Sequence, residues 1–289
     1  MAQAQTSTEI VLHNFGDPPK GALPYAGVIL DPAGNLYGTT YSGGTVDAGV
    51  VFKVSTAGVQ TVLYNFTGGL DGGNPYGGVI LDSAGNRYGT TYNGGTSGAG
   101  VVFKLDTAGR ETVMYNFTGG ADGGNPYAGV TLDPAGNLYG TTLNGGASGY
   151  GTIFKITPGG ALATLHSFDL TDGANPNGAL LQATDGNFYG ATSAGGANGD
   201  GTLFQLSMGL RPFVKTVPTS GKVGAAVTIL GTHMLGPLSV TFDGIPAVIE
   251  GATLSAIFTS VPAGAATGEV AVTTADGTLL SNVVFTLIQ

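Results

Sequence analysis

Three kinds of side chain that suit sugar recognition recur together in this sequence: a carboxylate, an amide and a tyrosine ring. They occupy the first, fourth and sixth positions of the stretch Asp-Gly-Gly-Asn-Pro-Tyr. A tyrosine ring can lie against the CH face of a sugar, while amides and carboxylates hydrogen-bond to its hydroxyls. The stretch occurs twice in full and once in altered form without the tyrosine. The predicted ligand-binding residues are therefore Asp71, Asn74, Tyr76, Asp122, Asn125, Tyr127, Asp172 and Asn175.

A second interpretation of the same stretch is turn chemistry, because Asp and Asn side chains often bond to the backbone of their own turn. Turn chemistry is the commoner role for any single one of these residues. For the recurring set of Asp, Asn and Tyr taken together, a binding role and turn chemistry are about equally good explanations. Asp71 and Asn74 also offer oxygen ligands of the type that calcium takes, but their spacing matches no EF-hand loop. No metal and no cofactor is therefore predicted, and calcium is kept as the weaker alternative.

The sequence offers little for catalysis. His13 and His166 fall at the same place in two copies of a longer repeat, where the other copies have Tyr64 and Tyr115. That alternation is typical of packing or surface positions. No glycine-flanked serine elbow, HExxH pair or phosphate loop is present. No catalytic residue is predicted, although carboxylates from different copies could still assemble a glycosidase or lyase site.

Two further series of ionisable residues follow the same repeat without pointing to a reaction. One aspartate series precedes tight turns and becomes Ala183 in the last copy, and one lysine series becomes Gln205 there. A catalytic base would not be expected to recur in this way, whereas a solvated lysine can. The members of the two series are Asp31, Asp82 and Asp133, and Lys53, Lys104 and Lys155.

The elements that position these residues are set by a period of about 51 residues. The second copy contains four short strand patterns, at 78–82, 87–91, 101–105 and 112–117, joined by glycine-rich turns and without a helical period. Four strands in a unit of this length are typical of a β-propeller blade. The step is seen in Tyr37, Tyr88, Tyr139 and Tyr189, and in Phe52, Phe103, Phe154 and Phe204, which we expect to be buried between blades.

Strand direction predicts which loops share a face. Consecutive antiparallel strands alternate in direction, so the loops after the second and fourth strands open at the same end of the sheet. In the second copy these are residues 67–76 and 92–100. The Asp, Asn and Tyr side chains therefore recur on one face, here called the loop face.

The copy boundaries predict how the ring closes. The chain opens with a lone fourth strand at 10–15, and its last copy stops after a third strand at 202–206. Pairing the two would close a four-bladed propeller and remove two exposed strand edges. Two alternatives stay open: two chains sharing an eight-bladed ring, and donation of the opening strand to a neighbouring molecule as a dimer or longer assembly.

Composition limits the partners. The net charge of −9 argues against nucleic acid, whose phosphates need clustered Lys and Arg. The absence of cysteine excludes disulfides and thiolate metal sites. No apolar run in the 289 residues approaches the length of a membrane-spanning helix.

The repeated pattern Pro-x-Gly-Val-x-Leu-Asp-x-Ala-Gly-Asn-x-Tyr-Gly-Thr-Thr, followed by Val-Phe-Lys-Leu, resembles the tandem GloVer repeats of bacterial exported proteins. It is similar, more distantly, to NHL-type blades. The resemblance covers residues 9–207 and implies a propeller, with no activity attached to the repeat. Four copies depart from the six to eight blades usual in related propellers.

After Leu210 the period stops, and short alternating strands separated by Gly and Pro turns predict a small β-sandwich. Their order resembles an IPT/TIG domain, an immunoglobulin-like module. The predicted organisation is thus a flexible N-terminus at 1–8, an all-β propeller at 9–207 and an immunoglobulin-like β-sandwich at 208–289.

The function expected from these features is an extracellular, non-catalytic binding or adhesion protein that recognises a glycan or another surface polymer. Ala2-Gln-Ala4 resembles the end of a signal peptide, which favours export. A polysaccharide-degrading enzyme with its site on the same face and a structural protein that assembles by strand exchange remain the alternatives.

Overall fold

The computed structural model describes residues 9–16 and 19–288 of the chain. These residues form an all-β protein of short strands without a helix, as the sequence predicts. The predicted flexible N-terminus at 1–8 lies outside the described residues. No helix in the described part of the chain is long and apolar enough to cross a membrane.

The first three repeats each form one antiparallel sheet of four strands in chain order. This confirms the four strands per repeat that the sequence predicts. In the first repeat the strands are β1 (Ile29–Leu30), β2 (Leu36–Thr40), β3 (Val50–Val54) and β4 (Gln60–Asn65). In the second they are β5 (Ile80–Leu81), β6 (Arg87–Thr91), β7 (Val101–Leu105) and β8 (Glu111–Asn116). In the third they are β9 (Thr131–Leu132), β10 (Leu138–Thr142), β11 (Thr152–Ile156) and β12 (Leu162–Ser167).

The recurring Tyr-Gly-Thr-Thr of the second strand is explained by its surroundings. In the second repeat, Gly89 lies opposite Phe103 in the sheet, and a Cβ on this glycine would lie 2.7 Å from the phenylalanine ring. The glycine therefore leaves room for the ring. The hydroxyl of Thr90 donates to the carbonyl of Ala128 in the next repeat, at 2.8 Å. The four-residue motif thus contributes both to packing within its own sheet and to the hydrogen bond that connects this sheet to the next repeat.

Phenylalanine pairs join each repeat to the next. Phe66 at the end of the first repeat lies 5.1 Å from Phe103 of the second, centroid to centroid. The same contact recurs between Phe117 and Phe154 at 5.1 Å, and between Phe168 and Phe204 at 5.2 Å. Three of the four phenylalanines predicted to be buried are at most 2% exposed: Phe52, Phe103 and Phe154. Phe204 is only half-buried.

The fourth repeat is built differently. Its strands are β13 (Ala174–Pro176), β14 (Leu181–Gln182), β15 (Phe188–Ala194) and β16 (Thr202–Leu206). β15 pairs with all three others, and β16 pairs with β15 alone. Among the described residues, nothing pairs with the edge of this repeat where the first three repeats have their fourth strand.

The predicted closure of the ring by strand 10–15 does not hold in the structure. Residues 10–15 form no strand and do not pair with β16. The physical reason is that the first repeat, against which Phe15 is held 5.0 Å from Phe52 in a cluster with Val50 and Val54, does not cover β16, whose Leu203 is 82% exposed. Ile10, Val11 and Leu12 remain 73%, 66% and 56% exposed.

The C-terminal part forms two four-stranded sheets around one core. Phe242 and Phe285 lie at the centre of that core and are 1% exposed. In the order in which they pair, the strands of one sheet are β17 (Lys215–Val217), β19 (Ala226–Leu230), β23 (Ala256–Ser260) and β22 (Ile249–Ala252). Those of the other are β21 (Ile245–Ala247), β20 (Ser239–Phe242), β24 (Val270–Thr274) and β25 (Gly277–Leu280). A parallel pair, β18 (Ser220–Gly221) and β26 (Thr286–Leu287), lies beside them.

Candidate functional site

The two glycine-rich loops of a repeat lie together, as the strand directions predict. In the second repeat the amide of Gly95 donates to the carbonyl of Gly69 at 2.8 Å. The amide of Gly73 donates to the carbonyl of Asn93 at 2.9 Å, and the reverse bond is 3.0 Å. These backbone bonds connect the loop after the second strand to the loop after the fourth, so the loop face is one continuous surface.

The recurring aspartates close their own loops. The carboxylate of Asp71 accepts from the backbone amide of Thr67 at 2.9 Å, from the hydroxyl of Thr67, and from the hydroxyl of Tyr64 at 3.0 Å. Asp122 makes the same three contacts with Thr118 and Tyr115. Turn chemistry therefore occupies both carboxylates in this structure.

Asp172 shows why histidine alternates with tyrosine in the fourth strand. Nε2 of His166 lies 2.6 Å from its carboxylate, where Tyr64 and Tyr115 place a hydroxyl in the earlier repeats. The amide of Asp169 also donates to Asp172, at 3.0 Å. Tyr64, Tyr115 and His166 thus share the role of holding the loop aspartate. His13 does not take this role, because Lys20 stands at the aspartate position of the first copy and Nε2 of His13 has no hydrogen-bond partner among the described residues.

The recurring asparagines join one repeat to the one before it. Asn74 takes a left-handed backbone with φ of 56°, and its side-chain amide donates to the carbonyl of Tyr41 in the preceding repeat at 3.0 Å. Asn125 and Asn175 have φ of 53° and 54° and donate to Tyr92 and Leu143 at 2.9 and 3.0 Å. Asparagine suits this position because it tolerates the left-handed region better than most residues.

The tyrosines of the loop face form one continuous row. Tyr76 stacks on Tyr127 with ring centroids 4.2 Å apart and planes at 18°, and on Tyr25 at 5.4 Å and 17°. Tyr41 lies 4.5 Å from Tyr76, and Tyr92 lies 5.3 Å from it. We call Tyr25, Tyr41, Tyr76, Tyr92 and Tyr127 the tyrosine row. It crosses the first three repeats and brings the two predicted tyrosines, Tyr76 and Tyr127, into contact.

The row is partly open to solvent. Tyr25 at one end is 58% exposed, and the other four rings are half-buried. Burial, together with the hydroxyl of Tyr41 and the neighbouring tyrosines, raises the pKa of Tyr76 to about 12. The hydroxyl of Tyr76 is therefore a neutral donor and acceptor at physiological pH. Aromatic faces beside neutral hydroxyls can stack on and hydrogen-bond to an uncharged polar ligand.

Three members of the row were not among the predicted site residues: Tyr25, Tyr41 and Tyr92. The signal that could have found them is the same 51-residue step, which relates Tyr25 to Tyr76 and Tyr41 to Tyr92. The row stops at Tyr127 because Leu143 and Asn177 stand where a further repeat would place its two tyrosines.

The turns at the opposite end hold the second-strand tyrosines. The hydroxyl of Tyr139, which is fully buried, donates to Asp133 at 3.0 Å, and Tyr37 and Tyr88 make the same contact with Asp31 and Asp82. Burial acts to raise the pKa of Asp31 and of Asp82, but hydrogen bonds from the turn and the tyrosine outweigh it and lower both. In the fourth repeat Asp185 accepts from Tyr189 at 2.8 Å and takes over the role that Ala183 cannot fill.

The lysine series also has a structural role. The ammonium groups of Lys53, Lys104 and Lys155 lie 5.7 to 5.8 Å from the ring centroids of Tyr37, Tyr88 and Tyr139. Among residues 9–16 and 19–288, no group of three or more His, Cys, Asp or Glu side chains could hold a metal ion.

Comparison with known families decides the relationship of the chain. The profile of the Gloeobacter/Verrucomicrobia repeat matches residues 81–232, just over half of the 289 residues. The chain belongs to this repeat family. The match takes in the second, third and fourth repeats and ends within the C-terminal sheets. No curated protein matches the chain in sequence.

Several solved structures are similar to parts of the chain. An auxiliary nutrient binding protein from Bacteroides ovatus is 23% identical over 26% of this chain and 20% of its own, with a TM-score of 0.24. A gluconolactonase from Xanthomonas campestris is 13% identical over 82% of this chain and 71% of its own, with a TM-score of 0.42. The chain thus spans about a fifth of the nutrient binding protein. These similarities carry no argument about function.

Proposed function

We propose that the chain is an extracellular, non-catalytic binding protein whose tyrosine row holds a glycan on the loop face. The observation that carries the proposal is the row itself: five rings from three repeats, each in contact with a neighbouring ring of the row and none of them in the fully buried core. A polymer of sugar rings matches a surface that repeats along the protein, because each ring can stack on an aromatic face.

The proposal includes an architecture. The four successive antiparallel sheets are blades of a β-propeller, and the two C-terminal sheets are an immunoglobulin-like module of the IPT/TIG type. The repetition of the sheets at a fixed step and the separate core of the C-terminal sheets support this assignment. In such an arrangement the propeller carries the ligand and the module acts as a spacer or accessory domain.

The predicted site residues divide into two roles under this proposal. Tyr76 and Tyr127 contact the ligand, together with Tyr25, Tyr41 and Tyr92. The other six predicted residues hold the loops that carry the row: Asp71, Asp122 and Asp172 close them, and Asn74, Asn125 and Asn175 connect successive repeats. These six act on binding by positioning the rings.

The test is binding of soluble polysaccharides to the full chain, measured by affinity electrophoresis against xylan, laminarin and soluble starch. Tyr76→Ala combined with Tyr127→Ala is expected to weaken binding at least tenfold, since stacking aromatics dominate such contacts. The matched control is Tyr76→Phe with Tyr127→Phe, which keeps both rings and is expected to bind within about threefold of the wild type. Equal binding by the wild type and the alanine variant would show that the row is not the site.

A reducing-sugar assay on the same polymers separates binding from cleavage. The binding proposal expects no new reducing ends after prolonged incubation. Release of reducing ends by the wild type, lost in a variant of a loop-face carboxylate, would instead establish the polysaccharide-degrading alternative.

A further inference from the structure

The fourth repeat exposes a surface that every other repeat covers. Leu203 in β16 is 82% exposed, whereas the residues at its position in the first three repeats are at most 1% exposed: Val51, Val102 and Ile153. Val51 is buried in one hydrophobic cluster with Val79 and Phe103 of the next repeat. The exposure of Leu203 therefore marks the missing neighbour of the fourth repeat.

The opposite end of the array exposes the complementary surface. Leu30 in the first repeat is 64% exposed, whereas Leu81 and Leu132, its counterparts, pack into the clusters between repeats. The array of four sheets thus ends in two apolar surfaces. Each is one half of an interface that the chain itself makes three times.

The opening segment has the sequence of the strand that β16 lacks. Val11-Leu-His-Asn-Phe15 matches Val62-Leu-Tyr-Asn-Phe66, which ends the first repeat. Phe15 also makes the contact expected of such a strand with the repeat that follows it: its distance to Phe52 is 5.0 Å, against 5.1 Å for Phe66 and Phe103. The segment therefore stands as the fourth strand of a sheet that would precede the first repeat.

We propose that two copies of the chain associate head to tail, each adding its segment 9–15 to β16 of the other, to close a ring of eight sheets. The segment completes the fourth repeat, and the first repeat behind it covers Leu203. In this ring the fourth repeat of each chain packs against the first repeat of the other. Neither an open strand edge nor an exposed repeat interface therefore remains. The association does not depend on a ligand.

The third repeat fixes the register of the added strand. There, Ile153 pairs with His166 and Lys155 pairs with Ala163, on either side of a bulge. The equivalent pairs across the two chains are Leu203 with His13, and Gln205 with Ile10. A shift of one residue would turn the apolar side chains to the wrong face.

Cysteine cross-linking tests both the register and the partner, because the chain has no cysteine of its own. Ile10→Cys and Gln205→Cys are made in separate chains with different affinity tags, mixed, partly unfolded, refolded and oxidised. We expect a disulfide-linked pair carrying both tags. The control replaces Ile10→Cys by Val11→Cys, whose side chain is on the other face, and we expect at least a fivefold lower yield of the pair.

Light scattering of the full-length protein gives a second readout. We expect a mass of twice 28.6 kDa, independent of concentration in the micromolar range. Leu203→Asp is expected to shift the protein to the monomer, while Leu254→Asp, at a residue 69% exposed in the C-terminal sheets, leaves it dimeric.

Two outcomes would overturn the proposal. The first is a monomer in which Ile10→Cys and Gln205→Cys, placed together in one chain, form a disulfide within that chain; this would establish a closed four-sheet ring. The second is a mass that grows with concentration beyond two chains, which would establish an open filament.

Discussion

At the scale of single residues, one carboxyl group stands out from the repeat pattern. Glu111 in β8 occupies the position that Gln60 holds in β4, one repeat earlier. The side-chain amide of Gln60 donates to the carbonyl of Lys20 at 2.8 Å, and Asp71 takes the place of Lys20 beside Glu111. Burial, and then the negative charge of Asp71, raise the pKa of Glu111 to about 7. Below about pH 7 the folded protein therefore favours the protonated form, which can donate a hydrogen bond as glutamine does.

This raised pKa predicts that the wild type loses stability as the pH rises from about 4.5 to about 7, because the folded state holds a proton that the unfolded state has released. Glu111→Gln should be as stable as the wild type near pH 4 and more stable at pH 8 by roughly 1–2 kcal/mol, a figure reduced for the partial exposure of the group. Urea unfolding at the two pH values measures the difference. A variant whose advantage is the same at both would exclude Glu111 as the cause.

At the scale of elements, the repeats approach one another closely through glycine. A Cβ on Gly77 would lie 2.2 Å from the backbone nitrogen of Gly129 in the next repeat, whereas one on Gly27 meets nothing within 4 Å. The carbonyl of Gly77 also accepts from Thr39 of the preceding repeat at 2.8 Å. Backbone-to-backbone contact of this kind cannot be relieved by turning a side chain.

Gly77→Ala is therefore expected to destabilise the protein by roughly 1–3 kcal/mol through overpacking between the second and third repeats. Gly27→Ala is the matched control, because it adds the same methyl group in open space, and should change stability by less than about 0.5 kcal/mol. Thermal unfolding of the two variants under identical conditions provides the comparison. Equal melting temperatures would mean that the two repeats can separate at this point without cost.

The elements could be predicted from the sequence because their period is repeated four times. The four strands of a repeat, the buried Phe103 and the shared loop face all follow from pattern and strand direction. Whether the four repeats close into a ring could not be predicted. Ring closure depends on the angle between successive sheets, and the residue pattern does not determine that angle. Two of the five rings in the tyrosine row were predicted, Tyr76 and Tyr127, because they follow the Asp-Gly-Gly-Asn-Pro motif. Contact with Tyr25, Tyr41 and Tyr92 depends on the distance between repeats and between their loops, which the sequence does not state.

At the scale of the whole molecule, the C-terminal sheets are attached to the fourth repeat by a few specific contacts. The ammonium of Lys215 donates to the carbonyl of Gln182 at 2.7 Å, and the amide of Phe213 donates to Thr184 at 2.9 Å. Phe213 is 8% exposed, and burial lowers the pKa of Lys215. Phe213 and Lys215 lie shortly after residues 207–211, the segment in which the chain leaves the last repeat.

Lys215→Met keeps the length of the side chain and removes its hydrogen bond to Gln182. We expect cleavage within 207–211 by a nonspecific protease to become at least threefold faster, because local opening of this segment then costs less free energy. Lys222→Met, in the same sheets but without a contact to the fourth repeat among the described hydrogen bonds, is the control. Unchanged cleavage in both variants would show that other contacts hold the two parts together.

The tyrosine row also gives the molecule an optical property. The chain has 12 tyrosines and no tryptophan, so its ultraviolet emission comes from tyrosine alone. Rings whose centroids lie 4.2 to 6.3 Å apart exchange excitation, and light absorbed by one member of the row is emitted by another. We expect this transfer to depolarise the emission, because the ring planes of Tyr41 and Tyr92 are tilted by 46° and 79° from that of Tyr76. Under the proposed function, a ligand that lies across the rings is expected to change this emission, so binding to the loop face can be followed without a label.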